Sequence, residues 1–160
     1  MLPLFFFASV TAASPLAQPG LQPLARFVGH CWHGEAPGGA GTDTHCFEAL
    51  YGGEHIRDRH NVDVGGKTVY AGETIYSIEN GKIAFTYWNS LGGVGHGTGE
   101  ATPAEISFAG EMRADPARAT APMQATWRLE PAGYAVVWPD GTPHLMRQVE
   151  VQPISAATGR

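Results

Sequence analysis

Residues 67–89 read Lys67-Thr-Val-Tyr-Ala-Gly-Glu-Thr-Ile-Tyr-Ser-Ile-Glu-Asn-Gly-Lys-Ile-Ala-Phe-Thr-Tyr-Trp-Asn89. β-Branched and aromatic residues crowd both arms, and Asn80-Gly81 sits between them. Asn-Gly supplies the two positive-φ positions of a type I′ turn, whose twist matches that of paired strands, so the stretch is a β-hairpin. The same signals continue on both sides. Upstream, Gly65-Gly66 turns the chain back into Glu54–Val64, where Glu54, Ile56, Asp58, His60, Val62 and Val64 alternate with His55, Arg57, Arg59, Asn61 and Asp63. Downstream come a glycine-rich stretch (92–99), a strand near Glu105–Met112, and an irregular connection over 113–122. Strands near Gln124–Glu130 and Tyr134–Trp138 follow, and Pro139-Asp140-Gly141 turns into His144–Val151. Consecutive hairpins must hide their edges by closing or stacking. A short helical lead-in over Gln18–Val28, followed by a meander, favours closure. The expected fold is all-β: a single antiparallel up-and-down β-barrel of about 8–10 strands with a short N-terminal helical turn.

The first hairpin carries both cysteines, His30-Cys-Trp-His-Gly-Glu-Ala-Pro-Gly-Gly-Ala-Gly-Thr-Asp-Thr-His-Cys-Phe47. A reversal centred on Gly38-Gly39 places Cys31 directly opposite Cys46. Cβ atoms of a non-hydrogen-bonded cross-strand pair are about 4.5 Å apart, close to what a disulfide needs. With no Cys-x-x-Cys in the chain, a structural Cys31–Cys46 bridge is expected, worth about 3 kcal/mol for a loop of roughly 15 residues.

A disulfide implies an oxidising compartment, and the N-terminus agrees. Residues 2–13 form an apolar run ending in small residues, too short to span a bilayer, which takes about 20 apolar residues. It reads as an export signal cleaved after Ala13 or Ala17. The expected organisation is a signal peptide over 1–17, a barrel domain over 18–153 and a flexible tail over 154–160, in a periplasmic or secreted protein without a transmembrane segment in the mature chain. The 160 residues carry a net charge of −5 and only two Lys, with no basic stripe or cluster. Nucleic acid and anionic lipid are therefore not expected partners.

Leu24-Ala-Arg-Phe-Val-Gly-His-Cys-Trp-His-Gly34 resembles the opening of calycin-type barrels: lipocalins, fatty-acid-binding proteins and nitrobindin-like haem barrels. The closest resemblance is to the lipocalin-like domains of bacterial genomes that carry no established activity. In the calycin families a helical turn leads into a strand with Gly-x-Trp, and the Trp packs at the closed end under an Arg of the last strand. The resemblance implies those roles for Trp32 and Arg147, although here the spacing is Gly29-x-x-Trp32. Pro143-His144-Leu145 is similar to the late-strand His that binds haem in nitrobindin-like barrels, so haem through His144 is a minor cofactor expectation.

Seven His make metal worth weighing. His30 and His33 face opposite ways on a strand, and His30 with His45 offers two imidazoles without a third ligand, so no metal site is expected. Residues 92–99 fit no Gly-x-Gly-x-x-Gly window and precede no helix, so they are a flexible connection or a glycine-kinked strand. There is no nucleophile elbow, and nothing demands an enzyme. Arg57 and Arg59 would suit an anionic head group if their face points inward. With Tyr87 and His144, they are the expected liners of a cavity holding a hydrophobic or anionic small molecule. The alternatives are an interaction or envelope module with a filled core and, third, an enzyme with a His–carboxylate pair in a cavity.

Overall fold

The computed structural model describes residues 16–150. Ten strands, β1 Cys31–Glu35, β2 Thr42–Leu50, β3 His55–Val64, β4 Lys67–Glu79, β5 Lys82–Asn89, β6 Val94–Ala101, β7 Glu105–Arg113, β8 Ala121–Glu130, β9 Gly133–Val137 and β10 Pro143–Val149, follow one another round a closed barrel. All neighbours are antiparallel, and β10 closes onto β1. This is the expected all-β up-and-down barrel with one 3₁₀ segment, Pro19–Phe27, ahead of it. No helix among the described residues is long and apolar enough to cross a membrane. The apolar run ending at Ala13 and the tail from 154 lie outside the described residues.

Turn chemistry sets the strand registers. Gly65-Gly66 (φ 58° and 76°) and Asn80-Gly81 (φ 51° and 77°) occupy the left-handed region required by tight hairpin turns. Cys31 lies opposite Cys46 and is bonded to it. Pairing between β3 and β4 shifts at Val62/Asp63, where Val69 is the extra residue, and the shift turns Tyr70 to the same face as Val62.

The glycine-rich stretch is strand, not connection. Gly95, Gly97 and Gly99 alternate along β6, opposite Tyr87, Phe85 and Ile83. A Cβ on Gly97 would come within 2.8 Å of the Phe85 ring, and one on Gly99 within 2.9 Å of the Phe108 ring. The inner face of β6 is bare because rings from β5 and β7 lie across it.

The core fills one end of the barrel. Leu21, Leu24 and Phe27 of the 3₁₀ segment are buried. The Phe27 ring meets Trp32, Phe47, Trp127 and Tyr134 at centroid distances of 5.0–5.4 Å, edge-on in three cases, a favourable geometry for aromatic quadrupoles. Arg26 donates to the Glu130 carbonyl at 2.7 Å, fastening this plug to the β8–β9 turn. Trp32 is buried at this end, but Arg147 is not its partner. Arg147 pairs with His33 on the outward face of β1 and β10 and is exposed. The Trp32 ring instead packs against Phe27 and Tyr134.

Candidate functional site

The other half of the barrel is hollow. A cavity of about 420 Å³ opens toward the loops that follow β1, β3, β5, β7 and β9, within the roughly 300–1,000 Å³ typical of small-ligand pockets. Its floor and much of its wall are apolar, with Phe85, Phe108, Trp127, Met112, Met123 and Met146. Among the described residues, no Lys or Arg lines it.

The remaining wall, built mainly by β2 and β3, is polar, and a repeated pattern in the sequence explains it. Asp43-Thr44-His45 on β2 and Asp58-Arg59-His60 on β3 each put an acid and an imidazole two residues apart, hence on the same face of a strand. The register sets His45 directly opposite His60, and Phe47 opposite Asp58. The two imidazoles stack with centroids 4.6 Å apart and 24° between planes.

A single hydrogen-bonded chain runs through these residues to the mouth. His45 Nδ1–H donates to Asp58 Oδ2 at 2.8 Å, and His45 Nε2 lies 3.3 Å from Asp43 Oδ2. The other Asp43 oxygen lies 3.2 Å from His60 Nδ1, and His60 Nε2 lies 3.2 Å from the Tyr87 hydroxyl. Tyr87 and Tyr70 then share a 2.5 Å hydrogen bond. Thr44 and Arg59, the intervening residues, face outward.

Electrostatics follow from this geometry. Burial alone would strip the proton from His45, but the charge of Asp58 and the hydrogen bonds to Asp43 and Asp58 outweigh it. The net effect raises its pKa from 6.5 to about 10. Burial likewise opposes ionisation of Asp43, yet hydrogen bonds from His45 and His60 hold its carboxyl well below the usual range. Burial and the Tyr70 hydroxyl keep the Tyr87 phenol protonated beyond its ordinary range. Burial and the nearby Asp58 charge do the same for Tyr76 and Tyr134. Asp58 is 2% exposed, and its Oδ1 is buried without a hydrogen-bond partner, as is the Tyr134 hydroxyl.

The expected liners divide into two pairs. Tyr87 and His144 line the cavity. Arg57 and Arg59 do not: they lie on the outer face of β3, where the Arg57 guanidinium pairs with Glu48 and lies 3.9 Å from Glu73, and Arg59 lies 3.5 Å from Glu48. The inward positions of β3 are Ile56, Asp58, His60 and Val62. His30 Nδ1 contacts the Gln148 side chain at 3.0 Å. Sequence reasoning missed the Asp43/His45/Asp58/His60 group, and the twice-repeated Asp-x-His was the available signal.

A scan against protein families finds none that matches this chain, and a search of curated proteins finds no relative.

Proposed function

We propose that this protein is an exported barrel that binds one small, largely apolar molecule in its cavity. The observation that carries this reading is the 420 Å³ cavity with aromatic and Met walls on most sides and one hydrogen-bonding wall. The chemistry of the wall favours a neutral or hydrogen-bond-donating polar end over an anionic one. Arg57 and Arg59 stand outside, while Glu35, Asp43 and Asp58 line the interior. The same acids argue against haem on His144, since its propionates would face carboxylates rather than guanidinium groups. A hollow interior also disfavours the module with a filled core.

The Cys31–Cys46 bridge and the apolar N-terminal run support export. Leu16 is buried in the core, and the Ala17 N–H donates to the Gly53 carbonyl at 3.2 Å. A cut after Ala17 would remove both from the barrel, so cleavage after Ala13 is the better fit.

The test is native mass spectrometry, with an absorption spectrum, on the protein purified from its own envelope. A non-covalent adduct lost on denaturation supports the binding reading and gives the ligand's mass. Bare protein that also fails to take up apolar fluorescent probes, competed by no small lipid or aromatic, overturns it. A second reading, a proton-transfer enzyme, is favoured by His60 standing between Asp43 and the Tyr87 hydroxyl. Released ligand that isomerises, or takes up solvent deuterium at carbon, on incubation with fresh protein would select that reading.

A further inference from the structure

We propose that Asp43, His45 and His60 form a binding site for one divalent transition-metal ion of the zinc type, seated on the polar wall with a coordination position open to the cavity. The inference goes beyond the apolar-ligand reading and does not depend on it. The three side chains offer one carboxylate and two imidazoles whose donor atoms all lie within 4.8 Å of one another. Ligands about 2.0 Å from a tetrahedral zinc lie about 3.3 Å from each other. Each imidazole meets its own Asp43 oxygen, His45 Nε2 with Oδ2 at 3.3 Å and His60 Nδ1 with Oδ1 at 3.2 Å; each contact has the length of one tetrahedral edge, and a small rotation of the carboxylate would let one oxygen serve both rings.

The outward nitrogens supply an independent argument. A metal-binding His almost always donates its other ring N–H to an outer partner, which fixes the tautomer and aims the free nitrogen. His45 Nδ1 bonds to the buried Asp58, and His60 Nε2 contacts the Tyr87 hydroxyl, itself held by Tyr70. Both inner nitrogens are thereby turned toward the single carboxylate of Asp43, and an ion bound there would displace the proton on His45 Nε2 to solvent. Gly72 makes room for this, since a Cβ there would overlap His60 and come within 2.6 Å of the Tyr87 hydroxyl. Taking up an ion would turn the two stacked rings edge-on toward Asp43. Two imidazoles among three ligands select zinc, cobalt, nickel or copper over calcium and magnesium, which prefer all-oxygen sites. Three protein ligands leave the fourth tetrahedral position to water or to a donor atom of whatever enters the cavity.

The experiment strips the purified disulfide-intact protein with chelator and titrates it at neutral pH with zinc alone, by calorimetry, and with cobalt, by absorption. The expected result is one ion per chain, a tetrahedral cobalt spectrum, and no heat from magnesium. His60→Gln and Asp43→Asn should each weaken zinc at least tenfold, and Asp58→Asn about 10–100-fold through the outer partner. His96→Gln, which alters the exposed His96–Glu111 pair, should leave binding unchanged. If Asp43→Asn fails to fold, His60→Gln and the wild-type cobalt spectrum carry the test. No stoichiometric ion, an octahedral cobalt spectrum, or binding lost in His96→Gln and kept in His60→Gln overturns the proposal.

Discussion

At Gly72 the absence of a side chain decides whether the polar wall can exist. His60 and Tyr87 occupy the space its Cβ would take. Gly72→Ala should therefore destabilise the barrel by about 1–3 kcal/mol, the usual cost of overpacking, as read from denaturant midpoints. Asp58 is a second pivot, because it neutralises His45 from a position 2% exposed. Asp58→Ala leaves that imidazolium to Asp43, 3.3 Å away, and should cost about 1.5–3 kcal/mol, the worth of the charge-assisted hydrogen bond it loses. Equilibrium unfolding measures it, and a loss under 1 kcal/mol would mean His45 has no need of Asp58. The alternation on β3 was legible in the sequence as two mixed faces, but which face was inner was not. That choice depends on the β2–β3 connection, which bends through Tyr51, Gly52 and Gly53 at positive φ instead of a two-residue turn. Without a turn type to fix the register, His45 could not be placed against His60, and Asp-x-His on each strand remained two unrelated pairs.

Among the elements, the β1–β2 hairpin was the most readable, since its glycines fixed the register and the register fixed the disulfide. Replacing both cysteines by Ser should lower stability by about 3 kcal/mol, seen as a lower thermal midpoint that reductant no longer changes. β6 shows the opposite situation. Glycine at 95, 97 and 99 is an alternating pattern, yet glycine has a low strand propensity and no hydrophobic signal, so the sequence left a flexible connection and a glycine-kinked strand equally open. Its strand character comes from neighbours on either side, Phe85 and Phe108, which no local window contains. The N-terminal 3₁₀ segment was legible as a helical turn, and its place in the interior follows from the spacing of Leu21, Leu24 and Phe27. Phe27→Ala should cost about 3–5 kcal/mol, because four aromatic neighbours lose their common partner.

For the whole molecule, a packed half and a hollow half share one closed sheet. Substitutions at the plugged end are expected to act on folding, whereas at the polar wall Gly72 and Asp58 tie the shape of the cavity to stability as well. Closure itself depends on chain ends meeting: β1 takes β10 as one neighbour through Cys31↔Val149, Trp32↔Gln148 and His33↔Arg147. That seam joins segments more than a hundred residues apart, whereas the Cys31–Cys46 bridge spans 15. In a chain emerging N-terminus first, the hairpin is complete and open to oxidation while the seam still waits for its last strand, and until β10 arrives β1 offers an unpaired edge to any passing chain. The topology thus sets two kinds of fastening side by side on β1: a covalent clasp of short reach and a hydrogen-bonded closure that needs the whole barrel.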